Sequence, residues 1–334
     1  MNHFHSAASR LRYYSRFSYV LFFATLGFFF FQIPNSSFAE SNKAIPQKDA
    51  FIAPLADKSL LLDVTRAGEY WITVGEWGHI LYSNNSKDWT QAPTPTQNTL
   101  TAVYFLNDKQ GWAIGHDSVI LYSGDGGKHW ELQFSAPELE MPLFGILFLD
   151  AQHGIAVGAY GLYLTTSNGG KTWNQSEIEP GMDRHMNDIL SIGNDIFVIG
   201  ETGVVFRSEN RGESWASIEF PYTGSLFGAS VVNDDQLIVF GLRGTIYLSV
   251  DRGSSWRKIE SNVINTLMDH VELKDGTSVI IGLGGTILSR SRQQQEYSLQ
   301  PYSGFNNLVA VSFTEANEIL LFGERGIQTF QVVH

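Results

Sequence analysis

The chain has 334 residues, of which 13% are aromatic, 17% are charged and 32 are Gly, a composition typical of a turn-rich globular β protein and not of a disordered or coiled-coil one. Its formal net charge of −12 argues against nucleic acid as a partner, because phosphate backbones bind basic surfaces. The sequence contains no Cys, which excludes disulfides and a lipid-modified N-terminal Cys.

The first 39 residues are predicted to be an export signal. Three Arg precede an apolar run at residues 17–31, and Ser37 and Ala39 supply the small residues of a cleavage site. Because this segment holds no acidic residue, its removal brings the net charge to −15. An uncleaved membrane anchor is the alternative. In both cases we expect the rest of the chain outside the cytoplasm, in the periplasm of a Gram-negative bacterium, soluble or peripheral to the membrane.

After a short linker at residues 40–48, the chain repeats one pattern to its end. An apolar strand closes on a Gly, a tight turn and a second strand ending in Ser or Thr follow, and most copies then have a Trp. The spacings between the closing Gly residues are 40, 43, 42, 41, 41 and 41, for Gly75, Gly115, Gly158, Gly200, Gly241, Gly282 and Gly323. Units this short cannot bury their own apolar faces. The pattern therefore predicts an all-β fold, a seven-bladed β-propeller of four-stranded blades over residues 49–334.

The last copy stops at residues 327–333 without a Trp strand. Residues 49–55 precede the first copy where the fourth strand of a preceding blade belongs. We therefore predict that this N-terminal strand completes the seventh blade and closes the ring, which hides two open sheet edges.

Four copies fit Ser/Thr-x-Asp/Asn-x-Gly-x-x-Trp between their third and fourth strands, the pattern of an Asp-box hairpin. The Asp or Asn side chain accepts main-chain N–H bonds within its own turn, Gly supplies positive φ, and Trp packs under the hairpin. We interpret the boxes as structural, with defining residues Asp125 and Trp130, Asn168 and Trp173, Asn210 and Trp215, and Asp251 and Trp256. Residues 83–89 are a shortened copy and residues 289–297 a degenerate one.

Repeats such as those at residues 111–115, 123–130 and 166–173 resemble the photosystem II stability and assembly factor family of cyanobacteria and chloroplasts, which has relatives in non-photosynthetic bacteria. The resemblance covers about residues 50–334. It implies a non-enzymatic, monomeric assembly or stability factor with no cofactor, which binds an integral membrane protein or its complex. The Arg cluster of photosynthetic members is sparse here, at Arg243 and Arg325. We therefore expect a bacterial, non-photosynthetic relative, whose partner could be an exporter of the resistance-nodulation-division type.

A partner is expected on the face where the loops between second and third strands surround the channel mouth. Aromatic residues and Arg provide much of the energy at protein interfaces, which favours Trp77, Tyr160, Arg243 and Arg325 as anchors. In the same turns Glu76, Glu201 and Glu324 are candidates with a structural role as the alternative. Two long inter-blade loops, at residues 135–142 and 177–185, add Glu138, Met141, Met182 and Arg184.

A sialidase-like glycoside hydrolase or a carbohydrate-binding propeller is the alternative function, because Asp boxes also occur in such proteins. A sialidase needs three Arg converging on the substrate carboxylate, together with Tyr, Glu and Asp in catalytic positions. The sequence does not place Arg66, Arg184, Arg207, Arg243 and Arg325 in such a triad, so no catalytic residue is assigned. Three Arg or two facing carboxylates at one channel mouth would favour this alternative. The His residues are scattered singly, so no metal site is predicted.

Overall fold

Seven antiparallel sheets arranged as consecutive blades form the computed structural model, which describes residues 48–233 and 235–333. The strands of the first four blades are β1 Leu61–Ala67, β2 Tyr70–Gly75, β3 Ile80–Ser83, β4 Thr90–Gln91; β5 Leu100–Phe105, β6 Gly111–Gly115, β7 Ile120–Ser123, β8 Glu131–Phe134; β9 Leu143–Phe148, β10 Gly154–Gly158, β11 Tyr163–Thr166, β12 Asn174–Ser176; and β13 Met186–Ile192, β14 Asp195–Gly200, β15 Val205–Ser208, β16 Ala216–Ser217. The remaining strands are β17 Leu226–Val232, β18 Gln236–Gly241, β19 Ile246–Ser249, β20 Arg257–Lys258; β21 Leu267–Glu272, β22 Ser278–Gly282, β23 Thr286–Arg290, β24 Ser298–Leu299; and β25 Leu308–Phe313, β26 Ile319–Gly323, β27 Gln328–Phe330. The all-β class and the seven blades are confirmed.

Each blade pairs its strands in chain order, and this order gives the propeller two different faces. The turns between first and second strands and between third and fourth strands lie at one end, here called the box face. The turns between second and third strands and the links between blades lie at the other end, here called the turn face. The predicted partner-binding turns and the Asp boxes are therefore on opposite faces.

The core lies between neighbouring blades. Every residue of the second strand is buried in blades 2, 3, 4, 6 and 7, as expected for a strand covered on both sides. Trp112 of β6 is fully buried and stacks on Phe148 of β9, with ring centroids 3.4 Å apart and planes 9° apart. Packing of this kind joins one blade to the next, and for this reason we do not expect a single repeat to fold alone.

The Asp boxes form the hairpins that the sequence predicts. In blade 3, Asn168 Oδ1 accepts the main-chain N–H of Thr172 over 3.0 Å, and Thr166 Oγ1 accepts that of Gly170 over 3.0 Å. Trp130 and Trp173 are buried under their hairpins. The same hydroxyl and amide or carboxylate contacts recur in the boxes of blades 2, 4 and 5.

The predicted closing strand is wrong. Blade 7 has three strands in the described part of the chain, and no strand is assigned within residues 48–55. Instead the main-chain N–H of Ala50 donates to Thr94 O over 3.0 Å, and Gln91 binds the main chain at Phe51 and Ala53 over 2.8 Å. This segment therefore lies along blade 1, because the Gln91 amide and the Thr94 carbonyl supply partners that the blade 7 edge would otherwise provide.

The ring is nevertheless joined just after that segment. Asp57 O accepts the main-chain N–H of Ile327 over 3.0 Å, and a Cβ on Gly326 would lie 2.0 Å from the same oxygen. A Cβ on Gly78 would meet Thr96 O, in the link from blade 1 to blade 2, at the same distance. Asp57 thus occupies the blade-link position of blade 7, and the buried Ala56 packs with Leu320 and other residues of blades 7 and 1.

None of the helices in residues 48–233 and 235–333 is long and apolar enough to cross a bilayer. The predicted export signal at residues 1–39 lies outside the described residues.

Candidate functional site

The turn face carries a ring of strained turns. In blades 1 to 6 the second residue after the closing Gly has positive φ, and five of these six residues are not Gly: Trp77, Asp117, Tyr160, Thr202 and Arg243. The left-handed conformation costs an L-residue with a side chain about 1 kcal/mol or more. The turn also points this residue into solvent: Trp77 is 61% exposed and Tyr160 is 56% exposed. Two large aromatic side chains are thus held outward at positions where Gly fits with less strain.

The predicted Glu residues have bonds within the fold. Glu76 Oε1 accepts the main-chain N–H of Leu60 over 3.0 Å, and Glu201 Oε2 accepts that of His185 over 3.0 Å. In blade 7, Glu324 Oε2 accepts the main-chain N–H of Asn307 over 3.1 Å. Leu60, His185 and Asn307 each come directly before the first strand of the same blade. The three carboxylates therefore hold the link that leads into that strand, which is a structural role.

The anchors Tyr160 and Trp77 differ in their surroundings. Tyr160 lies beside His185, with ring centroids 4.7 Å apart and edge-to-face geometry, and its main-chain N–H donates to His185 Nδ1 over 3.1 Å. Phe144 also packs edge-to-face against His185, with ring centroids 5.9 Å apart. An aromatic rim of Phe144, Tyr160 and His185 therefore borders the channel mouth at blades 3 and 4. Trp77 makes no ring contact with the other described residues.

The cationic candidates are not equivalent. Arg184 Nη2 lies 3.3 Å from Glu179 Oε2, so its charge is paired. Arg243 and Arg325 are exposed, and neither forms a salt bridge or a hydrogen bond within the described ranges. The secondary loops also have structural contacts, since Met141 O accepts a hydrogen bond from Ser118 and Arg184 O one from Gly161. Of the candidate residues on the turn face, Arg243 and Arg325 are thus the two whose guanidinium groups are unpaired among the described residues.

Three carboxyl groups that the sequence reasoning missed line the central channel. Asp63, Asp188 and Asp269 each follow a β-bulge at the start of the first strand of blades 1, 4 and 6. All three border a cavity of about 540 Å³ that also touches Phe144 and His185. The sequence contained a signal for these residues. Each Asp occurs two positions after the first residue of its strand, where the other four blades have Ala or Gly.

Each of these carboxylates joins two neighbouring blades. Asp63 Oδ1 accepts the main-chain N–H of Val64 and Oδ2 that of Val103 in blade 2, both over 2.7 Å. Asp188 binds Ala229 of blade 5 over 3.0 Å, and Asp269 binds Val311 of blade 7 over 2.7 Å. The β-bulge just before each Asp is the kind of irregularity that redirects the following side chain.

Their protonation is perturbed. Burial raises the pKa of Asp63 to about 7 and that of Asp188 to about 6, although the N–H donors act in the opposite direction. Burial and the negative charge of Asp63 raise the pKa of Asp269 well above its usual range. Because the charge on one raises the pKa of another, the three groups titrate as an interacting set, each above the usual range of an Asp. No group of three His, Asp or Glu side chains in the described chain is arranged to hold a metal ion.

The fold and the turn face define an Asp-box β-propeller with an aromatic and cationic rim around an acid-lined channel. A family model described as "Photosynthesis system II assembly factor YCF48" matches residues 81–141 and 133–299. The chain belongs to this family. The photosystem II assembly protein Ycf48 of Synechococcus sp. (strain JA-3-3Ab) is 40% identical over 47 residues, a match that spans 14% of this chain and 14% of that protein.

Solved structures agree on the fold. A structure described as "YCF48 bound to D1 peptide" is 16% identical, with a TM-score of 0.67 over 87% of this chain and 98% of that one. YCF48 from Cyanidioschyzon merolae is 17% identical, with a TM-score of 0.65 over 81% and 94%. Streptogramin B lyase is 11% identical, with a TM-score of 0.70 over 87% and 95%. Because an enzyme shares the fold, the fold does not decide between binding and catalysis.

Proposed function

We propose that this chain is an exported assembly or stability factor that binds an integral membrane protein through its turn face, without catalytic turnover. The observation that carries the proposal is the exposure of Trp77 and Tyr160 on turns that hold them at positive φ. A strained backbone that presents a large aromatic side chain to solvent is typical of a binding site, where such side chains provide contact area at low entropic cost. Arg243 and Arg325 add unpaired positive charge to the same face.

The family supports the assembly role, and the relative solved with a D1 peptide suggests the kind of ligand. We extend peptide binding to this chain and propose that the ligand is a segment of a membrane protein exposed outside the cytoplasm. A resistance-nodulation-division exporter of a non-photosynthetic Gram-negative bacterium is the proposed system, and the periplasm the proposed location. Arg243 and Arg325 favour an acidic or carboxylate-bearing segment, because guanidinium groups bind carboxylates with two parallel hydrogen bonds.

The test is recovery of the partner from intact cells by crosslinking, mild detergent extraction and mass spectrometry of the tagged chain. We expect an integral membrane protein in stoichiometric amount. A variant with Trp77→Gly, Tyr160→Gly, Arg243→Gly and Arg325→Ser should reduce that recovery at least about tenfold, since the loss of interface anchors costs more than 1 kcal/mol each. Thr202→Gly, in the same turn of blade 4, is the matched control and should not change recovery. Undiminished recovery with the folded quadruple variant would exclude this face.

One observation favours a second candidate, carbohydrate chemistry in the channel. Three carboxyl groups with raised pKa values share one cavity, and pairs of carboxyl groups supply acid and base in glycoside hydrolases. Their oxygens already accept main-chain N–H bonds between blades, which is why we prefer the binding role. A sugar-binding and hydrolysis screen decides the point: turnover that is lost in Asp63→Asn and Asp188→Asn would establish the enzyme.

A further inference from the structure

Blade 6 replaces its Asp box with a basic sequence. In blade 5 the box begins at Ser249, eight residues after Gly241, and the residue eight after Gly282 in blade 6 is Arg290. Strand pairing agrees, because Ser249 lies opposite Leu237 in blade 5 and Arg290 lies opposite Ser278 in blade 6. The degenerate box therefore starts at Arg290, one residue after Ser289, where the sequence pattern placed its start.

With this register, every defining position of the box is changed. Arg290 stands where the other boxes have Ser or Thr, and Arg292 stands where they have Asp or Asn. Gln294 replaces the Gly, and Tyr297 replaces the Trp. The hydroxyl and the carboxylate or amide that close the turn elsewhere are replaced by two guanidinium groups, so the turn is positively charged in a chain whose net charge is −12.

A pocket lies between blades 5 and 6 on the box face, beside the altered box, and a smaller cavity of about 240 Å³ lies between blades 3 and 4, beside the intact box of blade 4. In blade 5 the box Gly253 packs against the preceding blade, where an added Cβ would lie 3.0 Å from Phe197. In blade 6 the corresponding space is a cavity of about 350 Å³ lined by Arg290, Arg292, Gln294 and, from blade 5, Gln236 and Arg257. A cavity of this size accommodates a small ligand and is concave, unlike a membrane-binding surface.

The positive charge in this pocket is only partly neutralised. Arg292 Nη2 lies 3.0 Å from Glu272 Oε1, and the other Glu272 oxygen accepts the main-chain N–H of Asn233 over 2.9 Å. Arg290 is half-buried and lies 5.0 Å from the centroid of the Tyr297 ring, and neither it nor Arg257 pairs with a carboxylate of the described residues. In blade 4, by contrast, Arg207 pairs with Asp195 and Glu209 at 2.9 and 3.0 Å.

The base of the pocket is fixed by buried polar contacts. Ser278 Oγ lies 2.8 Å from His270 Nε2 and 2.6 Å from Tyr297 Oη, and all three residues are buried. Gly276 allows Arg292 to cross the turn between β21 and β22, because a Cβ there would lie 2.0 Å from Arg292 Nε. A guanidinium held in place before binding loses less entropy when it binds an anion.

We propose that the pocket between blades 5 and 6 binds a small ligand through a carboxylate or phosphate group. Arg290 forms two parallel hydrogen bonds to the oxyanion, Arg257 and Arg292 add charge from either side, and the Gln side chains bind the remainder of the ligand. This site lies on the box face, so it is separate from the partner-binding turn face.

Calorimetric titration of the full chain with citrate and with inorganic phosphate, against chloride at equal ionic strength, tests the proposal. We expect saturable binding of at least one anion, and the tighter of the two identifies the carboxylate or the phosphate class. Arg290→Ser with Arg292→Asp restores the hydroxyl and the carboxylate of an ordinary Asp box and should weaken binding at least about tenfold, as expected for loss of charge-assisted hydrogen bonds. Lys171→Ser removes one exposed positive charge from the Asp box of blade 3, on the same face, and should bind like the parent chain.

Arg290→Lys keeps the positive charge but lacks the two parallel N–H donors of the guanidinium group. It is a smaller change than the double variant, so it tests the proposal even if the double variant does not fold. We expect it to bind more weakly than the parent and to unfold at the same temperature. Absence of saturable binding of both anions, or parent-like binding in the folded double variant, would overturn the proposal.

Discussion

The main-chain N–H of Val103 in blade 2 donates to Asp63 Oδ2 in blade 1 over 2.7 Å, so a side chain in the channel wall connects two blades. Asp188 and Asp269 make the corresponding connection from blade 4 to blade 5 and from blade 6 to blade 7. Because the same carboxyls line the central cavity, the stability of the ring and the charge of the channel depend on the same three groups.

Stability is expected to fall as pH rises from about 4 to about 7. Burial raises the pKa of Asp63 to about 7 and that of Asp188 to about 6. In this window Asp63, Asp188 and Asp269 bind more protons in the folded chain than in the unfolded chain. The buried His270 and His79, whose pKa values burial lowers, act in the opposite direction, but the three carboxyl groups outnumber them, so the free energy of unfolding decreases with pH. Asp150, with a pKa of about 2, titrates below the window. Urea unfolding at several pH values measures the slope.

Asp63→Asn should make that slope shallower even if it lowers stability at every pH, since Asn cannot accept both N–H bonds. Glu131→Gln, on the exposed part of β8, is a matched control and should keep the parent slope. A parent slope that is flat or positive, or an unchanged slope in Asp63→Asn, would contradict the assignment.

Removing the Asn side chain from one Asp box is expected to cost about 1–2 kcal/mol of unfolding free energy. Asn168→Ala removes the acceptor of the Thr172 N–H and the donor to Thr172 Oγ1, which lie at 3.0 and 2.8 Å. Gln175→Ala, on the exposed strand β12 of the same blade, is the control. Equilibrium urea unfolding compares the two, and equal stabilities would show that the box does not stabilise its hairpin.

A charged residue at the ring closure should destabilise the whole propeller. Ala56 is 3% exposed between blades 7 and 1, so Ala56→Asp buries an unpaired carboxylate, at a cost of about 2–4 kcal/mol. Ala50→Asp, in the segment that lies along blade 1, should cost much less. Thermal unfolding of both variants is the measurement, and the reverse order would place the closure at residues 49–55.

Trp77→Gly is expected to change the free energy of unfolding by less than about 1 kcal/mol, because relief of the positive φ offsets the greater freedom of Gly in the unfolded chain. An exposed Trp with no ring contact to the described residues contributes little packing. Thr202→Gly should behave in the same way. If Trp77→Gly alone is strongly destabilising in chemical unfolding, Trp77 is a structural residue and not an interface anchor.

The sequence repeats alone predict much of the fold of this protein. The spacing of the closing Gly residues predicts the seven blades, and the Asp boxes predict the hairpins around Asn168 and Trp173, because both signals are local in sequence. The same spacing places Trp77, Tyr160, Arg243 and Arg325 in equivalent turns of one face. These features could be predicted because most repeats share short-range turn patterns that are visible in the sequence.

Relations between repeats needed the tertiary structure. The sequence could not show that Asp63, Asp188 and Asp269 share a cavity, that residues 49–55 lie along blade 1, or that Arg290 and Arg257 of the preceding blade line one pocket. Each depends on which side chains meet across a blade boundary or the channel. Such contacts join residues far apart in the chain, and their geometry is set by the packing of the whole ring.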